Sequence, residues 1–552
     1  MNKKLYNAMN WRQIEAVLYG DLSHPEEVLG PHPYGKKTIL QAYFPGAEKV
    51  SVLQGKNEVQ MEEMDNSFYA SFLDNPNISY QYKLNLGNGY ILKFPDPYAF
   101  GPQLSEEFLE EFANGKCIDA YRHLGAHVHT ARLNSKSIKG TLFACYAPNA
   151  NAVTLRVGRL SFLMVRRDQY GVYELFLPFK LTGEKYYFRI RKGVRVMERI
   201  DPYARGTLGG FSKVCEEIQT PKKLQEQKSD PSRMIIRRVD LSRIADLGNL
   251  VKETKQMGFS HLSLYFSENG SLFCPDPSFG SLEYFAKLIE ECHQEGLGAL
   301  LDWRIDGFAA SMQHFHNFDG TALYEHEDSR RGYRSYDDRF LYQYQSPQVR
   351  SYLLSGAFFL VEELGADGVF VPNLGSVLYL DYHKAPGEWL PNFMGENVDR
   401  DAISLLQEFN LKMEEKRPEI LRLSSIDAIW KDTTSSPKRE GLGFQRTANE
   451  DFSRDFPDFI LNDDSYRRSN FQRVLSGIQY AFVEPRFLAL PEMPEEKFAL
   501  AASLVMFLPG KKLFHLDDVE KEEALLKKLL AFYDKEAFLK ENDDNEESFN
   551  FI

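Results

Sequence analysis

The strongest constraint on this chain is that its first 210 residues repeat themselves. Residues 39–53 (ILQAYFPGAEKVSVL) and 142–155 (LFACYAPNANAVTL) each run apolar, break at a proline turn and resume with alternating apolar positions. Farther on, residues 67–73 and 80–84 are answered by 172–177 and 186–190. The Asp-Pro-Tyr-Ala of residues 96–99 returns at 201–204, an offset of about 105 residues. Short alternating runs divided by Gly, Pro and Asn turns predict antiparallel β-sandwiches. A repeat of this length predicts two of them in tandem, of one ancestry.

Residues 216–234 are polar and lysine-rich, the composition of a linker. Beyond them the period changes. Helical patterns over 244–257, 281–294, 347–364 and 399–416 alternate with apolar runs at 261–266, 297–302, 368–371 and 420–423, several of them divided by Gly. Helix–strand alternation implies parallel strands with crossover connections. A stretch near 280 residues suits a (β/α)8 barrel, with an open doubly wound sheet as the alternative. No GxGxxG or GxxxxGK[ST] follows a strand, so nothing supports a nucleotide site. Residues 519–533 read as an amphipathic helix, followed by an acidic tail. The expected domains are a sandwich over 1–115, a second sandwich over 116–215, the linker 216–234, a barrel over 235–517, and a helix with tail over 518–552.

Composition narrows the function classes. Lys plus Arg is 66 against 79 Asp plus Glu, a net charge of −13, which disfavours a nucleic-acid partner. No apolar run reaches the ~18–20 residues of a membrane span, and no apolar stretch follows the lysines of the N-terminus as it would in a secretory signal. The five cysteines (117, 145, 215, 274 and 292) form no CxxC. They predict buried thiols in a reducing compartment, hence a cytoplasmic protein without a disulfide frame, a zinc site or another cofactor.

Several motifs together resemble the bacterial glycogen branching enzymes of the α-amylase superfamily, over nearly the whole chain. Residues 24–32 (HPEEVLGPH), 94–102 (FPDPYAFGP) and 121–127 (YRHLGAH) are similar to the family's first sandwich. Residues 143–150 and 201–203 resemble its glycogen-binding-type second sandwich. In the barrel region the resemblance rests on 292–296 (CHQEG), 301–303 (LDW), 318–326 (FDGTALYEH), 378–382 (LYLDY), 387–392 (GEWLPN), 441–444 (GLGF) and 509–513 (PGKKL). The resemblance implies two N-terminal antiparallel β-sandwiches followed by a (β/α)8 barrel. The family's C-terminal β domain is expected to be largely missing. The implied activity is transfer of α-1,4-glucan segments to form α-1,6 branches.

Retaining glycosyl transfer needs a carboxylate nucleophile and a second carboxyl about 5–5.5 Å away as acid/base. The resemblance implies where these belong, and the chain departs from the pattern there. Where the family reads Gly-Leu-Arg-Val-Asp-Ala-Val, this chain reads residues 368–374 as GVFVPNL, which puts Pro372 at the nucleophile position and Phe370 at that of its supporting Arg. Where the family has an Ile-Ala-Glu-Glu-Ser strand, residues 423–427 read LSSID, with Ser425 at the acid/base. The first of the family's two sugar-binding His aligns with Asp306 or Gly307. A family Ser-His-Asp-Glu has become residues 490–493, LPEM. The cleft stretch 267–276 is shortened. A hydroxyl is too weak an acid for the task, and losing one member of such a constellation costs on the order of 10⁴–10⁶ in rate. The expectation is a catalytically silent branching-enzyme homologue that binds α-glucan or an active enzyme of glycogen metabolism. The alternatives are a transferase with a relocated carboxylate pair and an interaction scaffold with no glucan affinity.

Candidate replacements for the lost carboxyls are Asp427, two residues past Ser425, and Asp302, with Asp306 and Glu492 near the same mouth. Asp381 reads as a scaffold position. Trp303 and Trp389 are candidate sugar-stacking residues that also match scaffold motifs. His314 and His316 form a loop pair with no third metal ligand at a telling spacing. His123, His127 and His129 read as structural. In the second sandwich, residues 157–162 (VGRLSF) stand where family modules often carry a glucan-binding Asn-x-Trp.

Overall fold

The computed structural model describes residues 3–35, 37–73, 79–218, 220, 234–244, 248–265, 272–276, 279–311, 315–427, 430, 432–483, 486–508, 510–517 and 522–536. The chain divides into two compact units, Met1–Glu217 with Ala310–Glu327, and Ile218–Ala309 with Asp328–Ile552.

The first unit carries the repeat as topology. Strand Lys37–Tyr43 pairs with Gly30–Tyr34 and Phe68–Leu73, and Lys136–Tyr146 pairs with Gly125–Leu133 and Val172–Leu177. On the facing sheets, Lys49–Gln54 joins Gln81–Asn85 as Ala152–Val157 joins Lys185–Lys192. On these facing sheets inward positions alternate with outward ones, as in Gln81–Asn85 and Lys185–Lys192, whereas Phe68–Leu73 and Val172–Leu177 are buried at nearly every position. Both copies end on a buried aspartate. Asp96 accepts the Tyr98 N–H and the Tyr80 hydroxyl; Asp201 accepts the Tyr203 N–H and the Tyr186 hydroxyl, the latter at 2.5 Å. The segment Ala310–Glu327 belongs to this unit. There the Asp319 carboxylate accepts the Asn149 N–H at 2.8 Å, and Arg199 donates to the Phe318 carbonyl at 2.9 Å.

The second unit is a closed barrel of eight parallel strands: β1 (Ile235–Val239), β2 (His261–Leu264), β3 (Gly298–Asp302), β4 (Gly368–Val371), β5 (Leu421–Ile426), β6 (Arg446–Asn449), β7 (Arg486–Leu490) and β8 (Lys511–His515). Closure is made by β8 pairing in parallel with β1, which rules out the open sheet. The strands are short and buried on both faces, so β2 and β4 are buried at every position; β4 (GVFV) reads as an apolar run, while β2 (HLSL) buries His261 and Ser263 beside its leucines. Helices Leu282–Gln294, Pro347–Glu362 and Arg400–Lys416 occupy the predicted stretches with small differences at their ends, while the helix expected over 244–257 forms, among the described residues, only over Leu250–Met257. Ser281 and Asp399 cap two of them through side-chain oxygens. The expected C-terminal helix is Glu523–Lys535. Most of the linker, residues 267–271 of the shortened cleft, His314 and the acidic tail lie outside the described residues. No helix among the described residues is long and apolar enough to cross a membrane.

Candidate functional site at the barrel mouth

A cavity of about 820 Å³ opens at the C-terminal ends of the barrel strands, where barrels of this kind carry their chemistry. The ends of seven of the eight strands, all but β3, contribute residues to its lining, so the cavity collects side chains distant in sequence. Pro372 after β4 and Ser425 of β5 both line it. The two positions singled out by resemblance therefore face one cavity, and neither supplies a carboxyl.

Five carboxyls do line it, Asp240, Asp276, Glu450, Glu492 and Asp517; of these the sequence reading singled out Glu492 alone and missed Glu450, the one that meets Ser425. Glu450 is the first residue of helix Glu450–Leu461, directly after β6, and Asn449 caps that helix through its side chain. Its carboxylate accepts the hydroxyl of Ser425. Ser425 in turn accepts the N–H of Asn373 at 2.8 Å. Burial raises the Glu450 carboxyl above its ordinary range, the negative charge of Asp427 adds to that, and the Ser425 hydrogen bond and the charge of Arg238 oppose it.

The two expected surrogates, Asp302 and Asp427, are committed elsewhere. Asp302 is buried and clasped by the guanidinium of Arg238 through two bonds of 2.8 and 2.5 Å. Arg238 comes from β1, also donates to Ser263 of β2 at 3.1 Å, and lies over the ring of Phe370 at 4.4 Å. Asp302 is thus the buried half of an ion pair and not a free surrogate. Asp427 accepts the Tyr382 hydroxyl at 2.5 Å. Its other oxygen packs where a Cβ on Gly375 would stand 2.2 Å away, and Asp427 is absent from the cavity lining.

Asp306, expected at the mouth as a solvated charge, is buried among Arg304, Arg334 and Arg339, with oxygen–nitrogen distances of 3.3, 3.2 and 3.5 Å. Burial alone would raise its carboxyl; the three guanidiniums outweigh that and hold it down to about 2. Glu492 is exposed on the cavity rim, near Arg243 at 3.4 Å. His515 of β8 lines the cavity, and burial with the nearby charge of Arg238 pushes its imidazole down to about 3, so it stands neutral. Asp381 accepts both bonds from the Asn397 amide at 3.0 Å, a loop-fastening role.

Trp303 is corrected outright. It is 1% exposed, its indole N–H donates to the Leu353 carbonyl at 2.9 Å, and its ring lies 4.5 Å from that of Phe409. A sugar has no access to it. Trp389 is half-buried on a loop and does not line the cavity. His316 pairs with Glu325 at 2.8 Å. His127 donates its Nε2–H to the Leu124 carbonyl at 2.8 Å, and burial pushes its imidazole down to about 3. Among the described residues no cluster of His, Cys, Asp and Glu is arranged to hold a metal ion.

Comparison with known proteins agrees with this architecture. Residues 10–98 match the family model described as alpha-1,4-glucan branching enzyme GlgB, N-terminal domain, and residues 123–204 match carbohydrate-binding module 48 (isoamylase N-terminal domain). Among solved structures, the pullulanase of Anoxybacillus sp. LM18-11 in complex with maltotriose superposes with a TM-score of 0.58 at 14% identity, covering 91% of this chain and 86% of that one. That is a likeness of fold. The 1,4-alpha-glucan branching enzyme GlgB of Methylococcus capsulatus is 29% identical, covering 88% of this chain and 70% of its own length. That of Rhodopseudomonas palustris (strain BisA53) is 30% identical over 86% of this chain and 71% of its own. That of Rubrobacter xylanophilus is 30% identical over 90% and 74%. With both sandwiches, the closed barrel and this extent of identity in agreement, the chain belongs to the GlgB family of 1,4-α-glucan branching enzymes.

Proposed function

We propose that this chain is a branching-enzyme homologue that does not transfer glucan segments, and that it acts in the cytoplasm as a binding protein for α-glucan or for an active enzyme of glycogen metabolism. The observation that carries the reading is the state of the cavity. The positions of the family's two reacting carboxyls hold Pro372 and Ser425, and both line the space where a substrate would sit. Proline offers no nucleophilic atom, and a serine hydroxyl does not protonate a leaving sugar oxygen well. Asp302 is clasped by Arg238 and Asp427 is held by Tyr382, so neither is a free partner for Glu450. The match to a carbohydrate-binding module over residues 123–204 supports retained glucan affinity. The five free cysteines suit a reducing compartment.

The test is the iodine–amylose spectrum after incubation with purified protein, alongside migration in glycogen-containing native gels. The expected result is an unchanged spectrum with retarded migration. A spectral shift abolished by Glu450→Gln would sink the reading and establish a relocated site.

That second reading has one observation in its favour. Glu450 is a cavity-lining carboxyl raised by burial and by the charge of Asp427, the pattern expected of an acid beside an ionised nucleophile. It requires Asp427 to turn from Tyr382 into the cavity. Loss of a real branching activity in both Glu450→Gln and Asp427→Asn is its signature.

A further inference from the structure

The first unit holds a separate cleft of about 290 Å³, far from the family chemistry in sequence and in kind. Its floor is the outer face of the sheet formed by strands Leu160–Leu163, Ala152–Val157 and Lys185–Lys192. Its walls are the end of helix Trp11–Tyr19 and the turn that carries Tyr43 and Pro45. A Cβ on Gly20 would meet the Thr154 hydroxyl at 3.4 Å, which shows how closely the helix end approaches the sheet.

The register gathers positive charge on this floor. Arg189 stands directly opposite Thr154, Arg191 follows on the same face, and Arg156 lies diagonally across from Arg189. Ser161 faces Arg156 on the other side. In an antiparallel ladder, direct partners are about 5 Å apart and diagonal ones about 7–8 Å, so three guanidiniums and two hydroxyls share one patch. All five residues line the cleft, and no carboxylate does. Glu198 is the ladder partner of Arg189 on its far side but is exposed, and no ion pair joins them.

Only one of the three cations is spent on the fold. Arg191 donates to the carbonyls of Gly20 at 3.1 Å and Tyr19 at 2.6 Å, fastening the helix C-terminus. Among the described residues Arg156 and Arg189 make neither ion pair nor hydrogen bond through their guanidiniums, and the Nε of Arg189 is shielded from solvent with no acceptor. The hydroxyl of Tyr43 sits within reach of both charges, which offset part of the effect of its burial. Like charges gathered on neighbouring strands destabilise a sheet unless an anion neutralises them. Guanidinium forks match a phosphate group in particular.

We propose that this cleft binds a small phosphomonoester of about monosaccharide size, its phosphate between Arg156 and Arg189 and its hydroxyl-bearing body against Thr154, Ser161 and Tyr43. The volume is near the lower end of small-molecule sites, roughly 300 Å³. It admits one sugar ring with its phosphate and not a polymer. The site is independent of whether the barrel is active.

The test is titration calorimetry of the full chain with glucose 6-phosphate, inorganic phosphate and glucose. The expected result is saturable binding of glucose 6-phosphate, weaker binding of inorganic phosphate and none of glucose. Arg156→Gln and Arg189→Gln are each expected to weaken glucose 6-phosphate binding by about tenfold or more, since a hydrogen bond to a charged group contributes about 1.5–3 kcal/mol. Where a glutamine variant does not fold, Arg156→Lys keeps a charge, loses the fork and is expected to weaken binding severalfold. Three results each overturn the proposal: no saturable binding of either phosphate compound, glucose binding as tightly as its phosphate, or unchanged affinity in the folded arginine variants. Inorganic phosphate binding as tightly as the ester overturns the assignment of the sugar body.

Discussion

Ser425 and Glu450, 25 residues apart on neighbouring strand ends, form one hydrogen-bonded pair at the floor of the barrel cavity. The serine hydroxyl and the Asn373 backbone N–H both donate toward that carboxylate, and burial keeps the carboxyl raised in spite of them.

This pair makes stability pH-dependent in a defined direction. A carboxyl raised in the folded state holds its proton at pH values where the unfolded chain has released it. Its stabilisation is complete below the ordinary value near 4.5 and is lost as pH rises through the raised value. Glu450→Gln removes that loss while keeping the contact with Ser425. The variant is expected to gain in thermal stability relative to the parent as pH is taken from 5 toward 8, read by calorimetry of the barrel transition.

The Arg238–Asp302 pair is buried in the barrel, with Asp302 4% exposed. Asp302→Ala leaves a buried guanidinium without its counter-charge and is expected to cost about 3–5 kcal/mol. Replacing both partners by apolar residues is expected to recover most of that. Denaturant midpoints of the single and double variants separate the two effects.

Trp303 is a packing residue by its geometry. Trp303→Ala is expected to cost about 3–5 kcal/mol through the lost ring contact with Phe409 and the unpaired Leu353 carbonyl. Trp389→Ala, on a half-buried loop, is expected to change stability by less than about 1 kcal/mol. Thermal melts compare the two, and mobility in glycogen gels reads any contribution of Trp389 to glucan binding.

The second sandwich carries its own titration. Burial raises the Asp201 carboxyl from 3.8 to about 7, although the Tyr186 hydroxyl and the Tyr203 N–H oppose the rise. The folded state therefore keeps a proton between these values that the unfolded chain has lost. Its contribution is full below pH ~4 and declines through pH ~7, by roughly 4 kcal/mol at most. Asp201→Asn is expected to flatten the pH dependence of that domain's melting. The equivalent Asp96 is raised in the same direction by burial, so an effect of the same sign is expected from Asp96→Asn.

How far the sequence could be read depended on the range of the physics involved. Local patterning determined the two sandwiches, because strand alternation and the recurring Asp-Pro-Tyr-Ala are written in neighbouring residues. It determined the long helices for the same reason, through period and caps such as Ser281 and Asp399. It determined that Pro372 and Ser425 hold no carboxyl, since residue identity needs no coordinates. It did not reveal β6, whose four residues are too short for a period and whose end delivers Glu450. Nor did it show that Asp302 is clasped by Arg238 from 64 positions away, that Asp306 is ringed by three arginines, or that Trp303 is sealed. It also did not show that Arg156 and Arg189 lie bare on one sheet face. Those facts depend on which strand ends and sheet faces closure brings together. A side chain's partners, and so its charge state and its availability to a ligand, are set by neighbours distant in sequence, and only the folded chain assembles them.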